Sequence, residues 1–169
     1  MPRLLLLSLV CMVSGCSPAA PPRELPGYLE GALANNSYPS YLVMQLEQDG
    51  ARLEGRYEWS IHSSHYDFEG TFEGDTAGDE VRLQVEVPAD VVQRYGWPEQ
   101  IPLNLKLTEL TQDEKSQLNP PDRVLFKPED RVLSLKGSTT FSARGQTMIF
   151  LALLTDVPVV PSKLHSGAR

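Results

Sequence analysis

From Tyr41 onward, apolar and polar residues alternate with a period of two. Across residues 51–59 the apolar or small set is Ala51, Leu53, Gly55, Tyr57 and Trp59, and the polar set is Arg52, Glu54, Arg56 and Glu58. Successive side chains of a strand point to opposite faces, so this alternation predicts a strand with one dry and one wet face. The pattern recurs at Tyr66, Phe68, Gly70 and Phe72, at Val81, Leu83, Val85 and Val87, and at Leu103, Leu105 and Leu107. It returns over residues 131–143 and 146–154. With residues 41–47 and a short candidate at residues 124–126, the chain holds about seven or eight strands. The expected fold is all-β: an antiparallel meander closing into a small barrel or strongly curved sheet.

Registers follow from turns and charges. Asp49-Gly50 is a two-residue hairpin signal. Folding about it sets Glu47 opposite Arg52 on the wet face. On the dry face it sets Leu46 opposite Leu53, Met44 opposite Gly55 and Leu42 opposite Tyr57. A loop at residues 60–65 then pairs Arg56 with Glu69, Arg52 with Glu73, Tyr57 with Phe68 and Trp59 with Tyr66. Two opposite-charge pairs at ~0.2–1 kcal/mol each outweigh the repulsion of Glu58 beside Asp67. The same register opposes Gly55 and Gly70, which reads either as curvature of a tight barrel or as a dent for a ligand. Two short helical inserts are expected. Residues 89–95 stop at Gly96, and Thr111 with Glu114 has capping-box spacing ahead of Asn119-Pro120-Pro121.

The N-terminus follows other rules. Arg3 is a positive start, residues 4–13 are apolar but too short to span a bilayer, and Val13-Ser14-Gly15-Cys16 follows at once. That stretch resembles the lipobox of bacterial lipoproteins. The resemblance implies a signal peptide over residues 1–15, cleavage before Cys16 and a diacylglycerol on its thiol, with palmitate among the acyl chains. Ser17, rather than aspartate, follows Cys16, and by the sorting rule of such lipoproteins this implies the outer membrane, facing the periplasm. Residues 16–39 carry Pro18, Pro21, Pro22, Pro26 and Pro39 and read as a lipidated cysteine on an extended tether, whose later part could dock on the domain. The β domain is then residues 40–155, with a loose tail over residues 156–169. It resembles the small β-barrel lipoproteins of bacteria, lipocalin-like in architecture only, because no Gly-x-Trp opening strand is present.

Composition narrows the chemistry. The net charge is −7, and loss of Arg3 makes it more negative still. An acidic chain without a basic patch argues against nucleic acid. Of the two cysteines, Cys11 leaves with the signal and Cys16 is the anchor. That leaves no disulfide, no thiolate metal site and no catalytic cysteine. Neither a P-loop nor a dinucleotide fingerprint occurs, and no cofactor is expected. The densest polar cluster is His62, His65 and Asp67. It could bind zinc or pair a base with its orienter, but only if residues 60–65 form a loop, and no further ligand is recognisable. Ser63 and Ser64 beside His65 lack a nucleophile elbow. Glu54, Glu58, Glu69, Glu73 and Glu86 fall on the wet face, where no burial would raise a carboxyl pKa for acid catalysis. Tyr57, Trp59, Tyr66, Phe68 and Phe72 form one stripe on the dry face. The first four are the ligand-binding candidates if the barrel is open, and core if it is packed. Gly96-Trp97-Pro98 is a second aromatic point that could cap a barrel mouth.

The expected function is therefore a membrane-anchored, non-enzymatic binding or accessory module of the cell envelope. It would be held by Cys16 and would take a small apolar ligand or an envelope protein. Two other readings stand beside it: a hydrolase or metal-dependent enzyme at residues 60–67, and a partner module docking through a strand edge.

Overall fold

The computed structural model describes residues 21–34, 40–61, 66–118 and 125–156. Eight antiparallel strands follow one another as a meander and close into a barrel. They are β1 (Tyr28–Ala34), β2 (Ser40–Asp49), β3 (Arg52–Ile61), β4 (Tyr66–Ala77), β5 (Glu80–Glu86), β6 (Gln100–Glu109), β7 (Leu133–Ala143) and β8 (Gln146–Thr155). Helix α1 (Ala89–Tyr95) lies between β5 and β6, and α2 (Gln112–Leu118) between β6 and β7. The alternation does the work it promises. On β5, Val81, Leu83 and Val85 are buried while Arg82, Gln84 and Glu86 are exposed. Eight strands make an interior just wide enough for side chains to fill. Here Leu29, Leu42, Met44, Leu53, Tyr57, Trp59, Leu103 and Phe150 are among those that fill it.

Closure comes from an element assigned to the tether. Residues 28–34 pair with β2 on one side and with β8 on the other, from Glu30↔Thr155 to Ala34↔Leu151. Leu29 and Leu33 are fully buried on the inner face, and Leu25 joins the core ahead of the strand. The barrel thus includes residues before 40, and among the described strands the first and last, β1 and β8, pair with each other. Of the short candidate strand at residues 124–126, residue 124 lies outside the described residues and the other two are not in a strand. Leu125 and Phe126 lie in irregular chain, and Phe126 packs with Leu110 and Val132 in a small second cluster that Leu153 touches.

Both hairpin registers are displaced by two residues from the expected ones, with the faces unchanged. Gly50, at φ 58°, takes the first loop position rather than the second. Asp49 then pairs with Arg52, Leu46 with Gly55, Met44 with Tyr57 and Leu42 with Trp59. Across β3 and β4, Tyr57 faces Gly70, Gly55 faces Phe72, Trp59 faces Phe68 and Arg56 faces Thr71. The two glycines are therefore not opposed; each lies against an aromatic ring. A Cβ on Gly55 would fall 2.6 Å from Phe72 Cζ, and one on Gly70 would fall 2.8 Å from the Tyr57 ring. The expected ion pairs give way to like-charge neighbours, Glu47↔Glu54↔Glu73 and Glu58↔Glu69. An opposite pair is worth ~0.2–1 kcal/mol, whereas burying an aromatic ring is worth about 1.5–3 kcal/mol, so ring packing sets the register. Glu58 is buried, contrary to its assignment to the wet face.

Both inserts form as expected. Gly96 ends α1 in the left-handed conformation and its N–H donates to the Val92 carbonyl. At α2, the Thr111 N–H donates to Glu114 Oε2 at 2.9 Å and the Glu114 N–H donates to Thr111 Oγ1 at 3.3 Å, the reciprocal pattern of a capping box. Lys115, on α2, donates to the carbonyls of Pro128 and Asp130 and so ties the insert together.

Candidate functional site at the barrel mouth

One end of the barrel is built differently from the other. The β4–β5 ladder begins only at Phe72, and the β6–β7 ladder reaches only to Ser138. Residues 66–71 and 139–143 therefore run past those neighbours, and the segment from α1 to Trp97 occupies this end. Trp97 is 93% buried and packs on both flanks. Its ring centroid lies 5.3 Å from Trp59, 5.8 Å from Phe68, 5.2 Å from Phe141 and 6.2 Å from Phe150. Phe68 stacks on Trp59 at 5.6 Å and meets Tyr57 edge-on at 6.1 Å. Offset and edge-to-face arrangements of this kind suit the ring quadrupoles and hold the cluster in place.

Of the four ligand candidates, Tyr57, Trp59 and Phe68 are thus packed into this cluster. The Tyr66 side chain lies outside the described residues. The Tyr57 hydroxyl donates to the Glu86 carbonyl, and burial, with Glu86 adding a smaller effect, pushes its pKa well above the usual range. It is a neutral donor that pins β3 to the end of β5. Trp59 Nε1 is buried with no acceptor among the described residues. A buried donor in that state calls for an explanation such as an ordered water or a bound group.

A cavity of about 300 Å³ opens beside Trp97. Its buried lining is Ile61, Trp97, Ala143 and Phe150; Tyr95 and Met148 are half-buried, and Arg144 and Gln146 are exposed. Other hollows among the described residues lie open along carboxylates, one beside Glu47, Glu54 and Glu73 and another beside Glu86 and Glu99. Arg144 and Gly145 make the β7–β8 turn, both with positive φ, 49° and 76°. A two-residue hairpin of this kind demands that conformation, and an arginine in it bears strain that a glycine would not. The Arg144 stem lies against Gly96, where a Cβ would stand 2.7 Å from its Cγ. Its guanidinium donates to the Arg94 carbonyl at the C-terminal end of α1. The turn and the helix end are thereby latched at the cavity.

Sequence reasoning placed Trp97 at the mouth, but Arg144, Gln146 and Met148 escaped it. Arg144-Gly145 could have been read as a turn; its meeting with Gly96 is purely tertiary. The candidate catalytic or metal tip at residues 60–67 falls largely outside the described residues. His62 and His65 lie outside the described residues, and Asp67 is exposed on β4 opposite Ser60. Among the described residues no group of three His, Cys, Asp or Glu side chains is placed to hold a metal ion. A scan of protein-family models and searches of curated proteins and of solved structures all returned no match for this chain.

Proposed function

We propose that this chain is a lipid-anchored, non-enzymatic binding protein of the bacterial envelope that holds a small, largely apolar ligand at its barrel mouth. The observation that carries the reading is the cavity beside Trp97. It is concave and lined mainly by aromatic and aliphatic groups with a few polar ones, as small-molecule sites are. Its volume is at the lower end of the usual range, which suits a single acyl chain or one or two rings. The anchor rests on the lipobox resemblance at Cys16. Ligand entry tests the binding half of the proposal. Titration of the Cys16→Ser chain with the neutral apolar dye N-phenyl-1-naphthylamine should show one saturable site. Met148→Trp, which adds bulk to the lining, should remove it. Absence of binding, or binding untouched by Met148→Trp, rejects the reading.

A further inference from the structure

We propose that the mouth cavity selects an anionic amphiphile: a molecule with an apolar chain or ring at one end and a carboxylate or similar anion at the other, received by Arg144. The inference rests on the binding function proposed above and adds the ligand's charge. Among the described residues Arg144 is the only charged side chain that lines the cavity, in a chain whose net charge is −7. Among the described residues it forms no ion pair, although five other pairs take up Arg23, Arg52, Arg82, Arg131 and Lys136. Its position is fixed by the turn, by Gly96 and by the Arg94 carbonyl. A guanidinium carries five N–H groups in a planar fork, and one bond to Arg94 leaves donors for a bidentate acceptor.

The rest of the lining fixes the other end of the ligand. Ile61, Trp97, Met148 and Phe150 offer no charge, and Gln146 adds a neutral polar contact beside Arg144. A sugar would need an open ring face to stack on, yet Trp97 is buried among five aromatic neighbours. A cationic ligand would meet the guanidinium. The volume equals about ten waters, too small for a two-chain lipid.

The test compares decanoate with 1-decanol, equal in chain and different in charge, on the full chain carrying Cys16→Ser. Trp59 and Trp97, the only tryptophans, both sit in the mouth cluster and report binding by fluorescence. Decanoate should bind about tenfold more tightly than decanol, the scale of one charge-assisted hydrogen-bond pair. Arg144→Gln should erase that gap by weakening decanoate to the level of decanol, with saturable decanol binding still present to show that the cavity persists. Arg144→Lys should keep most of the gap. Equal affinities in the unmodified cavity would overturn the anion assignment and leave the apolar site standing. Failure of both ligands to bind would overturn the site as well. An Arg144→Gln chain that loses decanol and decanoate equally would reduce Arg144 to a structural latch and reject the inference.

Discussion

Single residues decide how the inner face fits together. Gly55 and Gly70 each lie under a ring, and Gly55 also meets the Gln45 carbonyl across the strand pair. Gly55→Val and Gly70→Val should each destabilise by about 1–3 kcal/mol through overpacking, with Gly55 worse because backbone cannot step aside. Chemical denaturation midpoints compare them. Tyr57→Phe removes the donor to the Glu86 carbonyl and should cost about 1 kcal/mol without altering the ring packing. Glu114 sets a pH dependence. The hydrogen bond from Lys136, then that from the Thr111 N–H, lowers its pKa from 4.5 to about 2. A depressed carboxylate pKa contributes stability that is full above the unfolded value and fades as pH falls through the folded one. The loss should therefore run from about pH 4.5 down to about pH 2. Glu114→Gln should flatten that limb, seen by comparing denaturation at pH 3 and pH 6; equal pH slopes in both chains would sink the assignment.

Elements show where sequence reasoning reached and where it stopped. Strand faces and both helices were legible because alternation, Gly96 and the Thr111–Glu114 spacing are local signals. Register was not. Charge matching favoured Arg56 against Glu69, but Tyr57 and Phe72 each needed a glycine opposite, and that preference appears only when ring volumes are weighed across strands. Strand β1 was hidden because Leu29, Gly31 and Leu33 follow a run of prolines that reads as tether. The mouth was half legible: Trp97 stood out, while Arg144 reaches α1 only through the fold. The override of charge by packing leaves a testable residue. Glu73 faces Glu54 and precedes Asp75 on the same side of β4. Glu73→Lys should replace repulsion by attraction and stabilise by ~0.2–1 kcal/mol, more at low salt. Thermal melts at two ionic strengths check both the sign and its screening.

At the scale of the whole molecule, closure makes the first strand indispensable. A chain beginning at Ser40 lacks β1 and leaves β2 and β8 with bare flanks, so it should give no cooperative melt and should aggregate. A chain beginning at Pro21 keeps β1, Leu25 and the Gly27 carbonyl that accepts from Leu46, and should melt as the full chain does. Circular dichroism and gel filtration distinguish the two. Under the proposed anchoring, Cys16→Ser should move the protein from the membrane fraction to the soluble one without changing its melt, because acyl chains supply the membrane affinity. Retention in the pellet would reject that proposal. The β1–β8 seam also imposes an order in time. It joins Gly31 to Leu154, nearly the two ends of the described chain, while every other ladder joins consecutive strands. During synthesis β1 emerges first and waits, its inner leucines uncovered, until β8 has been made. Such distant pairing is slow to nucleate, in the range of milliseconds to seconds for β barrels. A nascent chain stalled just before residue 146 should therefore remain open to protease, however much of the meander has already paired.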